Sequence, residues 1–423
     1  MPKNLSLIIV IFLLITPACF LENTSGIVSN KKDSVINEKP EIFLLRVEHY
    51  LYLLGGKNTD IFNVRYAFPP IYNYQVPILL EIYNDTTEDI IKYKIENDSL
   101  EPNKFVNFTV KKIEKDEEKL IHFTIWVLVE NNKFEDLPET KEFPEKENLP
   151  DNTKKWLSKT DVVQKDNIFI KLKSRQMKLF YKDLISYADR VSFYIKNHRF
   201  LLFLLELKTG LFFSQDAVTT LFINGENVGR SHLACALLRN QNIPTRVLLV
   251  NNDQRFWTQM HYMIEYYVPE YGWVLLDTTK GETPYESKRQ VINRICHPED
   301  ENDTKKDYIL PFMKGEERWI WINNENVKPY YIDCKEGSKS QMFTEGKKIA
   351  SKNLSDNYFN YTKTTFHKYQ KFIGMDLSCK NQIFLKNAVS FQKKAINYLN
   401  KNNLEKYYNY VKLANEEYKK IKL

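Results

Sequence analysis

The stretch of residues 225–279 constrains the fold of this chain more than any other. In its first part, leucines at helical spacing are followed by Pro244 and then by a β-branched run at 247–250. In its second part, two apolar runs flank a turn sequence that begins at Pro269 and ends at Gly272. This order predicts a helix, a buried strand and a β-hairpin.

Short motifs within this stretch agree in order and spacing with a known family. They are Ala236-Leu237-Leu238-Arg239, Ile243-Pro244-Thr245-Arg246, His261 with Glu265, and Gly272-Trp273 with Asp277. The pattern resembles the transglutaminase-like superfamily, whose fold is related to the papain-like cysteine proteases. The resemblance implies an α+β fold in which a helix packs on an antiparallel sheet.

The resemblance also identifies the position of the family's nucleophilic Cys, which here is Asn227. Gly225 precedes it with the family spacing, and Ala236 follows at the expected distance. Family members use a Cys thiolate at a helix N-terminus, where the helix dipole favours the anion. Asn has no comparable nucleophile at neutral pH, but its side chain is a good helix N-cap. We therefore interpret Asn227 as a cap at a degenerate nucleophile position.

His261 and Asp277 match the family's other two catalytic positions, the general base and the carboxylate that orients it. Each lies eight residues from Pro269, so a hairpin centred there would place them directly opposite each other. A bulge in the turn would shift that register. The alternative for a single His beside an apolar strand is an ordinary core residue. The pairing with Asp277 favours the remnant of a catalytic triad.

An active enzyme would need a displaced nucleophile, and the helix offers Ser231 and Cys235. They follow Asn227 by one and two turns, about 6 Å and 12 Å along the helix axis. Both are expected to lie too far from His261. We therefore favour packing roles for both, since a free Cys within an apolar helix behaves as a small hydrophobic residue.

The amino-terminal segment has the features of an export signal. Lys3 precedes the apolar run 5–15, which is too short to span a bilayer comfortably. Ala18-Cys19 then resembles the processing site of bacterial lipoproteins, with Thr16 where Leu is typical, as in spirochaetal lipoproteins. This resemblance implies lipidation of Cys19 and membrane anchoring in the bacterial envelope. Ordinary cleavage after Ala18 is the alternative and would release an exported protein.

The remaining patterns predict the domain organisation. Alternating apolar residues at 121–129 favour an all-β domain, and we expect an immunoglobulin-like sandwich. Apolar stripes on either side of residues 400–403 predict a carboxyl-terminal helical hairpin. The predicted segments are a signal peptide (1–18), a tether (19–40), a β-sandwich domain (41–132), a charged linker (133–156), a transglutaminase-like domain (157–335), an irregular segment (336–386) and a helical hairpin (387–423).

Composition narrows the classes of ligand. The net charge of +7 comes from 61 basic and 54 acidic residues that are interspersed along the chain, without a nucleic-acid recognition motif. No phosphate-binding loop or metal-ligand spacing occurs, so we expect neither cofactor nor metal. An exported chain permits disulfides, and a bond between two of Cys296, Cys334 and Cys379 is predicted.

These observations favour an exported, lipid-anchored envelope protein with a non-catalytic transglutaminase-like domain. Its groove would bind a peptide or another envelope component. One alternative is an active acyltransferase, peptidase or amidase that uses a displaced Cys or Ser. Another is a purely structural lipoprotein with an empty groove.

Overall fold

The computed structural model describes residues 41–57, 59–72, 74–83, 88–130, 134, 136–198, 214–223, 225–252, 260–286, 289–302, 308–309, 319–329, 341–349 and 356–423. The strands are β1 (Ile42–Gly55), β2 (Phe62–Phe68), β3 (Gln75–Ile82), β4 (Ile90–Asn97), β5 (Lys104–Val110), β6 (Glu118–Glu130), β7 (Thr245–Asn252), β8 (Met260–Val268), β9 (Gly272–Leu276), β10 (Gln290–Ile295), β11 (Tyr308–Ile309), β12 (Ile320–Ile322), β13 (Val327–Pro329) and β14 (Gln341–Ile349). The helices are α1 (Asp151–Lys154), α2 (Ile168–Phe180), α3 (Leu184–Lys196), α4 (Ala217–Phe222), α5 (Asn227–Asn240), α6 (Asp356–Phe372), α7 (Cys379–Asn400) and α8 (Leu404–Lys420).

In the part of the chain that the structure describes, the strands form three antiparallel sheets. A four-stranded sheet has the order β10-β7-β8-β9. Two larger sheets have the orders β13-β1-β6-β3, with β14 also on β1, and β11-β12-β2-β5-β4. Aromatic side chains join these larger sheets, because the Phe123 ring of β6 contacts Tyr66 of β2 and Phe108 of β5. They therefore pack face to face as a sandwich.

Helix α5 and the four-stranded sheet form the core predicted from residues 225–279. The helix contacts β7 and β8 on one side and α2, α3 and α4 on others. Because it is enclosed, its side chains are buried without a polar face, from Ser231 to Arg239. Gly229 permits the close approach of α4, since a Cβ there would lie 2.6 Å from Thr220 Oγ1.

The end of α5 explains two family motifs. Asn242 has a φ of 60°, the left-handed conformation that ends helices and that Asn tolerates well. Ile243 N–H then donates to the Leu238 carbonyl at 3.2 Å. The fully buried Arg239 donates to the Thr245 carbonyl and forms a two-pronged ion pair with Glu301, at 2.7 and 2.5 Å. These contacts fix the turn from α5 into β7.

The β-sandwich takes strands from both sides of the α5 core. β12 pairs with β2, and β13 and β14 pair with β1. The predicted boundaries are therefore wrong in two places. The segment 308–329 completes the sandwich instead of the transglutaminase-like domain, and the predicted irregular segment 336–386 contains β14 and α6. Strand pairing is non-local, so sequence patterns did not indicate it.

The strand order of the sandwich differs from the immunoglobulin arrangement. In the immunoglobulin fold the first two strands lie in one sheet. Here β1 and β2 lie in different sheets, since β1 pairs with β6 and β2 pairs with β5. Three helices follow the strands in the carboxyl-terminal part of the chain. Helices α7 and α8 pack on each other, and α6 packs on strand β3 of the sandwich.

Buried amides attach the sandwich to β10, the edge strand of the four-stranded sheet. The Gln75 side chain donates to the Ile292 carbonyl and accepts from its N–H, each at 2.8 Å. Asn103 makes the same pair of bonds with Ile295, at 2.7 and 2.8 Å. Unpaired edge groups would be costly to bury, so these amides take the place of a further strand. Residues Pro40–Leu423 accordingly form one compact unit.

Positive charge is concentrated in the carboxyl-terminal segment of the chain. Residues 356–423 contain 13 Lys and 5 acidic residues, more positive charge than the net +7 of the whole chain. Among the described residues, no helix is long and apolar enough to cross a membrane. The export signal, Cys19, the tether and Cys334 lie outside the described residues. Cys379 is exposed and makes no disulfide with another described residue, and a bond to Cys334 lies outside the described residues.

Candidate functional site

Asn227 is the first residue of α5, one position later than a cap. Glu226 precedes the helix with extended backbone at φ −71° and ψ −169° and therefore occupies the N-cap position. Its N–H donates to Gln215 Oε1 at 2.9 Å. The prediction that Asn227 caps the helix is thus wrong by one residue. The Oδ1 atom of the Asn227 side chain accepts a hydrogen bond from Thr279 Oγ1 at 2.9 Å.

His261 and Asp277 are brought together by the hairpin. His261 Nε2 lies 3.1 Å from Asp277 Oδ2, and their side chains are only 7% and 1% exposed. The register differs from the predicted one, because Val268 pairs with Gly272 and the turn is centred on Glu270, whose φ is 68°. His261 therefore lies diagonally across from Asp277 and not directly opposite. A shift of two residues leaves both side chains on one face, so the contact is retained.

The Asp277 carboxylate is held in place from several directions. Its Oδ1 accepts from the backbone N–H groups of Thr279 and Lys280, at 2.8 and 3.1 Å. Burial alone would raise the pKa of Asp277, but the hydrogen bonds from His261, Lys280 and Thr279 lower this pKa below its ordinary value. The carboxylate is therefore ionised at neutral pH and orients the imidazole.

Thr279 contacts two of the three positions that the sequence singled out, Asn227 and Asp277, and Asp277 in turn contacts His261. Its N–H donates to Asp277 and its hydroxyl donates to Asn227. We refer to Asn227, His261, Asp277 and Thr279 as the Asn227 site. Sequence reasoning did not identify Thr279, because a Thr two residues after the motif Asp carries no signal of its own. Since Asp277 contacts His261 through Nε2, Nδ1 is the ring nitrogen left to exchange a proton.

Neither alternative nucleophile is presented to solvent. Ser231 is fully buried, and its Oγ donates to the Asn227 carbonyl at 2.9 Å within α5. Cys235 is fully buried one turn further along, among apolar residues. Within the described residues, no group of three or more His, Cys, Asp and Glu side chains could hold a metal ion. The geometry thus provides an imidazole with an orienting carboxylate, and a carboxamide at the start of α5.

Comparison with known proteins places this site in a family context. Residues 182–278 match the model of the transglutaminase-like superfamily. The chain carries a transglutaminase-like domain. No curated protein matches the chain. Among solved structures, it is similar to a candidate cysteine protease from Cytophaga hutchinsonii, with a TM-score of 0.52, 15% identity, and coverage of 75% of this chain and 93% of that chain. At this identity the likeness shows the fold alone.

A second similarity is weaker. The periplasmic domain of TgpA from Pseudomonas aeruginosa aligns with a TM-score of 0.28 and 12% identity. The alignment covers 56% of this chain and 88% of that chain. A likeness of this size supports no inference about activity or cellular location.

Other motif residues of the transglutaminase-like domain form a buried framework. Arg246 donates to Glu265 Oε2 at 2.8 Å and to the Tyr72 hydroxyl at 2.6 Å. Its guanidinium also lies over the rings of Trp273 and Trp156, at 3.9 and 4.9 Å from their centroids. We call these five residues the Arg246 cluster. Tyr72 comes from the sandwich, and no sequence pattern indicated that it would reach this domain.

Arg246 stays protonated despite its burial in the cluster. The Arg246 and Glu265 side chains are 6% and 2% exposed. Burial alone would lower the pKa of Arg246, but the adjacent Tyr72 and Glu265 raise this pKa above its ordinary value. The motif residues therefore divide into a set that supports the domain and a set that lines the Asn227 site.

Proposed function

We propose that this chain is an exported, lipid-anchored envelope protein whose transglutaminase-like domain is catalytically inactive and binds a peptide or protein. One observation carries the proposal. Asn227 lies at the start of α5 with its amide oxygen bonded to Thr279, while His261 and Asp277 remain paired beside it. A His–Asp pair that could orient a nucleophile is thus present, while the start of α5 carries a carboxamide and not a thiol.

The chemistry of Asn explains why this arrangement would not turn over substrate. Covalent catalysis in this fold needs a thiolate, formed when a His accepts the thiol proton. A carboxamide does not ionise at neutral pH and is a poor nucleophile. It does carry both a hydrogen-bond donor and an acceptor, which match the N–H and C=O groups of a peptide. Asn227 is partly exposed and Thr279 exposed, so a ligand in solution can reach both.

Exchange at position 227 tests the inactive state directly. The wild-type protein should neither crosslink amines to glutamine, nor deamidate glutamine, nor cleave peptides. Asn227→Cys should place a thiol at the helix N-terminus near His261, so its alkylation by iodoacetamide should be faster than that of Cys235. Ser231→Cys is the matched control, because its thiol would be buried one turn along and should react slowly. Wild-type activity that disappears on His261→Ala would overturn the proposal.

The binding role has its own measurement. Glutamine-containing peptides would be titrated against the wild-type protein, and Thr279→Arg should reduce binding because the larger side chain fills the exposed edge of the site. Lys112→Glu, a change at another exposed position, should leave binding intact. Equal affinity in all three proteins, or no binding to any of them, would contradict a peptide-binding role.

Membrane anchoring is supported by the sequence around Cys19 alone. Metabolic labelling with a fatty acid should mark the protein, and Cys19→Ala should abolish the label. A label that survives this change would show that Cys19 is not the lipidated residue.

A further inference from the structure

Helix α2 has two apolar faces, of which only one packs against the protein. Ile170, Ser174 and Met177 are buried towards the core. On the opposite side, Ile168, Leu172 and Leu179 are 59%, 49% and 73% exposed. Their spacing of four and then seven residues places these three side chains within about 40° of one another around the helix axis. They form a continuous outer stripe.

Two further large apolar side chains are exposed on α2 and on the neighbouring α3. Phe180, at the end of α2, is 69% exposed, and Phe193 of α3 is 49% exposed. Of the eleven large apolar residues exposed in the described part of the chain, these two helices contribute five. Single exposed apolar residues are ordinary on protein surfaces, but clusters of them mark contact sites. We therefore interpret the exposed apolar face of α2 and α3 as a contact site. It consists of Ile168, Leu172, Leu179, Phe180 and Phe193.

The charges on α2 itself are all basic, and α3 adds Arg190 and the exposed Asp189. Helix α2 contains Lys171, Lys173, Arg175 and Lys178 and no acidic residue. Arg175 is exposed in the middle of the apolar stripe, and Lys171 and Lys178 lie along its edge. Asp166, just before the helix, pairs with Lys171 at 3.4 Å, while the Lys178 amine lies 4.2 Å from the centroid of the Phe143 ring. Arg175 and Lys178 thus remain available to an anionic surface.

We propose that this face of α2 and α3 docks on an anionic lipid surface. Exposed Leu, Ile and Phe flanked by Lys and Arg are the signature of helices that lie in a membrane interface. The apolar side chains would enter the headgroup region, and the basic side chains would contact lipid phosphates. This contact is separate from lipidation at Cys19 and does not depend on the Asn227 site. It would orient the folded domain on the membrane.

Vesicle binding of the full chain carrying Cys19→Ser tests the proposal without the lipid anchor. The protein should bind vesicles of phosphatidylcholine with phosphatidylglycerol more tightly than vesicles of phosphatidylcholine alone. Leu172→Ser with Leu179→Ser should weaken this binding by roughly tenfold or more, since buried Leu side chains favour transfer strongly. Arg175→Gln should weaken it about fivefold, the effect of one basic residue at such a surface.

Matched controls locate the contact. Ile61→Ser removes an apolar side chain that is 63% exposed elsewhere, and Lys412→Gln removes an exposed charge from α8. Both should leave vesicle binding unchanged. Loss of binding with Lys412→Gln but not with Arg175→Gln would place the lipid contact on the carboxyl-terminal helices and overturn the proposal.

Covering of the face by protein is the competing outcome. If residues 200–213 of this chain or a second copy covered the stripe, the double Leu→Ser variant would lower Tm or change the oligomeric state. Either result, or vesicle binding that is equal in all variants, would refute lipid docking. An unchanged Tm with selective loss of vesicle binding is the result that we expect.

Discussion

The Arg246 cluster and the Asn227 site share the four-stranded sheet as a support, because strand β8 supplies a residue to each. Glu265 belongs to the first and His261 to the second, four residues apart and so on the same face of the strand. The Arg246 cluster retains its motif residues, with a buried ion pair covered by two Trp rings. The Asn227 site holds the His261–Asp277 pair, with the Asn227 carboxamide at the start of α5.

The physical consequences of losing a member differ between the two regions. Removal of one partner from a buried ion pair leaves an uncompensated charge, which destabilises the folded state strongly. The partly exposed Asn227 side chain carries no charge, and Thr279 donates a hydrogen bond to its amide oxygen. The difference indicates that stability constrains the Arg246 cluster far more strongly than it constrains position 227.

The largest effect should follow from Glu265→Gln. Arg246 would then be buried without its carboxylate, and we expect the free energy of unfolding to fall by about 3–5 kcal/mol. Urea denaturation measures this change. Glu270→Gln, in the turn of the same hairpin, is the matched control, because Glu270 is 86% exposed and its pair with Lys141 is screened by solvent. If both variants were equally stable, the cluster would not act as a framework.

A smaller loss is expected from Trp273→Leu. The Arg246 guanidinium lies 3.9 Å from the centroid of the Trp273 ring, and a desolvated cation–π contact contributes about 2 kcal/mol. Trp273→Phe keeps an aromatic face and should recover part of this stability. Thermal unfolding of the two variants at one pH distinguishes them. Equal losses would mean that Trp273 contributes through its volume and not through its contact with the cation.

The Asn227 site should reveal itself in the pH dependence of stability. The folded-state pKa of Asp277 is lowered, so its contribution is fully present above the ordinary carboxyl pKa of 3.8. It is lost as pH falls below 3.8 through the lower folded-state pKa, since the unfolded chain takes up the proton first. Unfolding of the wild-type protein should therefore become easier in that acidic range relative to Asp277→Asn. Parallel curves for the two proteins would contradict the lowered pKa.

The smallest effect belongs to the Asn227–Thr279 contact. A double-mutant cycle with Asn227→Ala and Thr279→Val should give a coupling energy of at most about 1 kcal/mol, as for a neutral hydrogen bond near the surface. Chemical denaturation of the four proteins provides the value. A loss for Asn227→Ala larger than that for Glu265→Gln would reverse the comparison and make position 227 the structural one.

Local periodicity was enough to predict the core but not its surroundings. The helix, strand and hairpin of residues 225–279 follow from leucine spacing, Pro244 and the turn at Pro269, because each signal acts within a few residues. The approach of His261 to Asp277 was also predictable, although the register was not. The turn is centred on Glu270, which adopts a positive φ, and composition alone does not predict this conformation.

Contacts between distant segments were beyond the sequence. Tyr72 reaches Glu265 across 193 residues, and Gln75 reaches Ile292 across 217. No local pattern encodes such a partner, since any buried polar side chain could satisfy either group. The cap at Glu226 was missed for a similar reason: the acceptor for its N–H is Gln215, on a different element.

Strand β1 has a consequence for how the chain is made. One edge of β1 pairs with β6, and its other edge pairs with β13 and β14, where Ile42 is opposite Ile349. The domain that contains the Asn227 site is thus an insertion, held by the sandwich at both of its ends. A nascent or truncated chain that stops before residue 327 would display the second edge of β1 as an open template for aggregation. The second edge of β1 is therefore covered only after β13 and β14 have been made. The carboxyl-terminal strands thus protect β1 from aggregation.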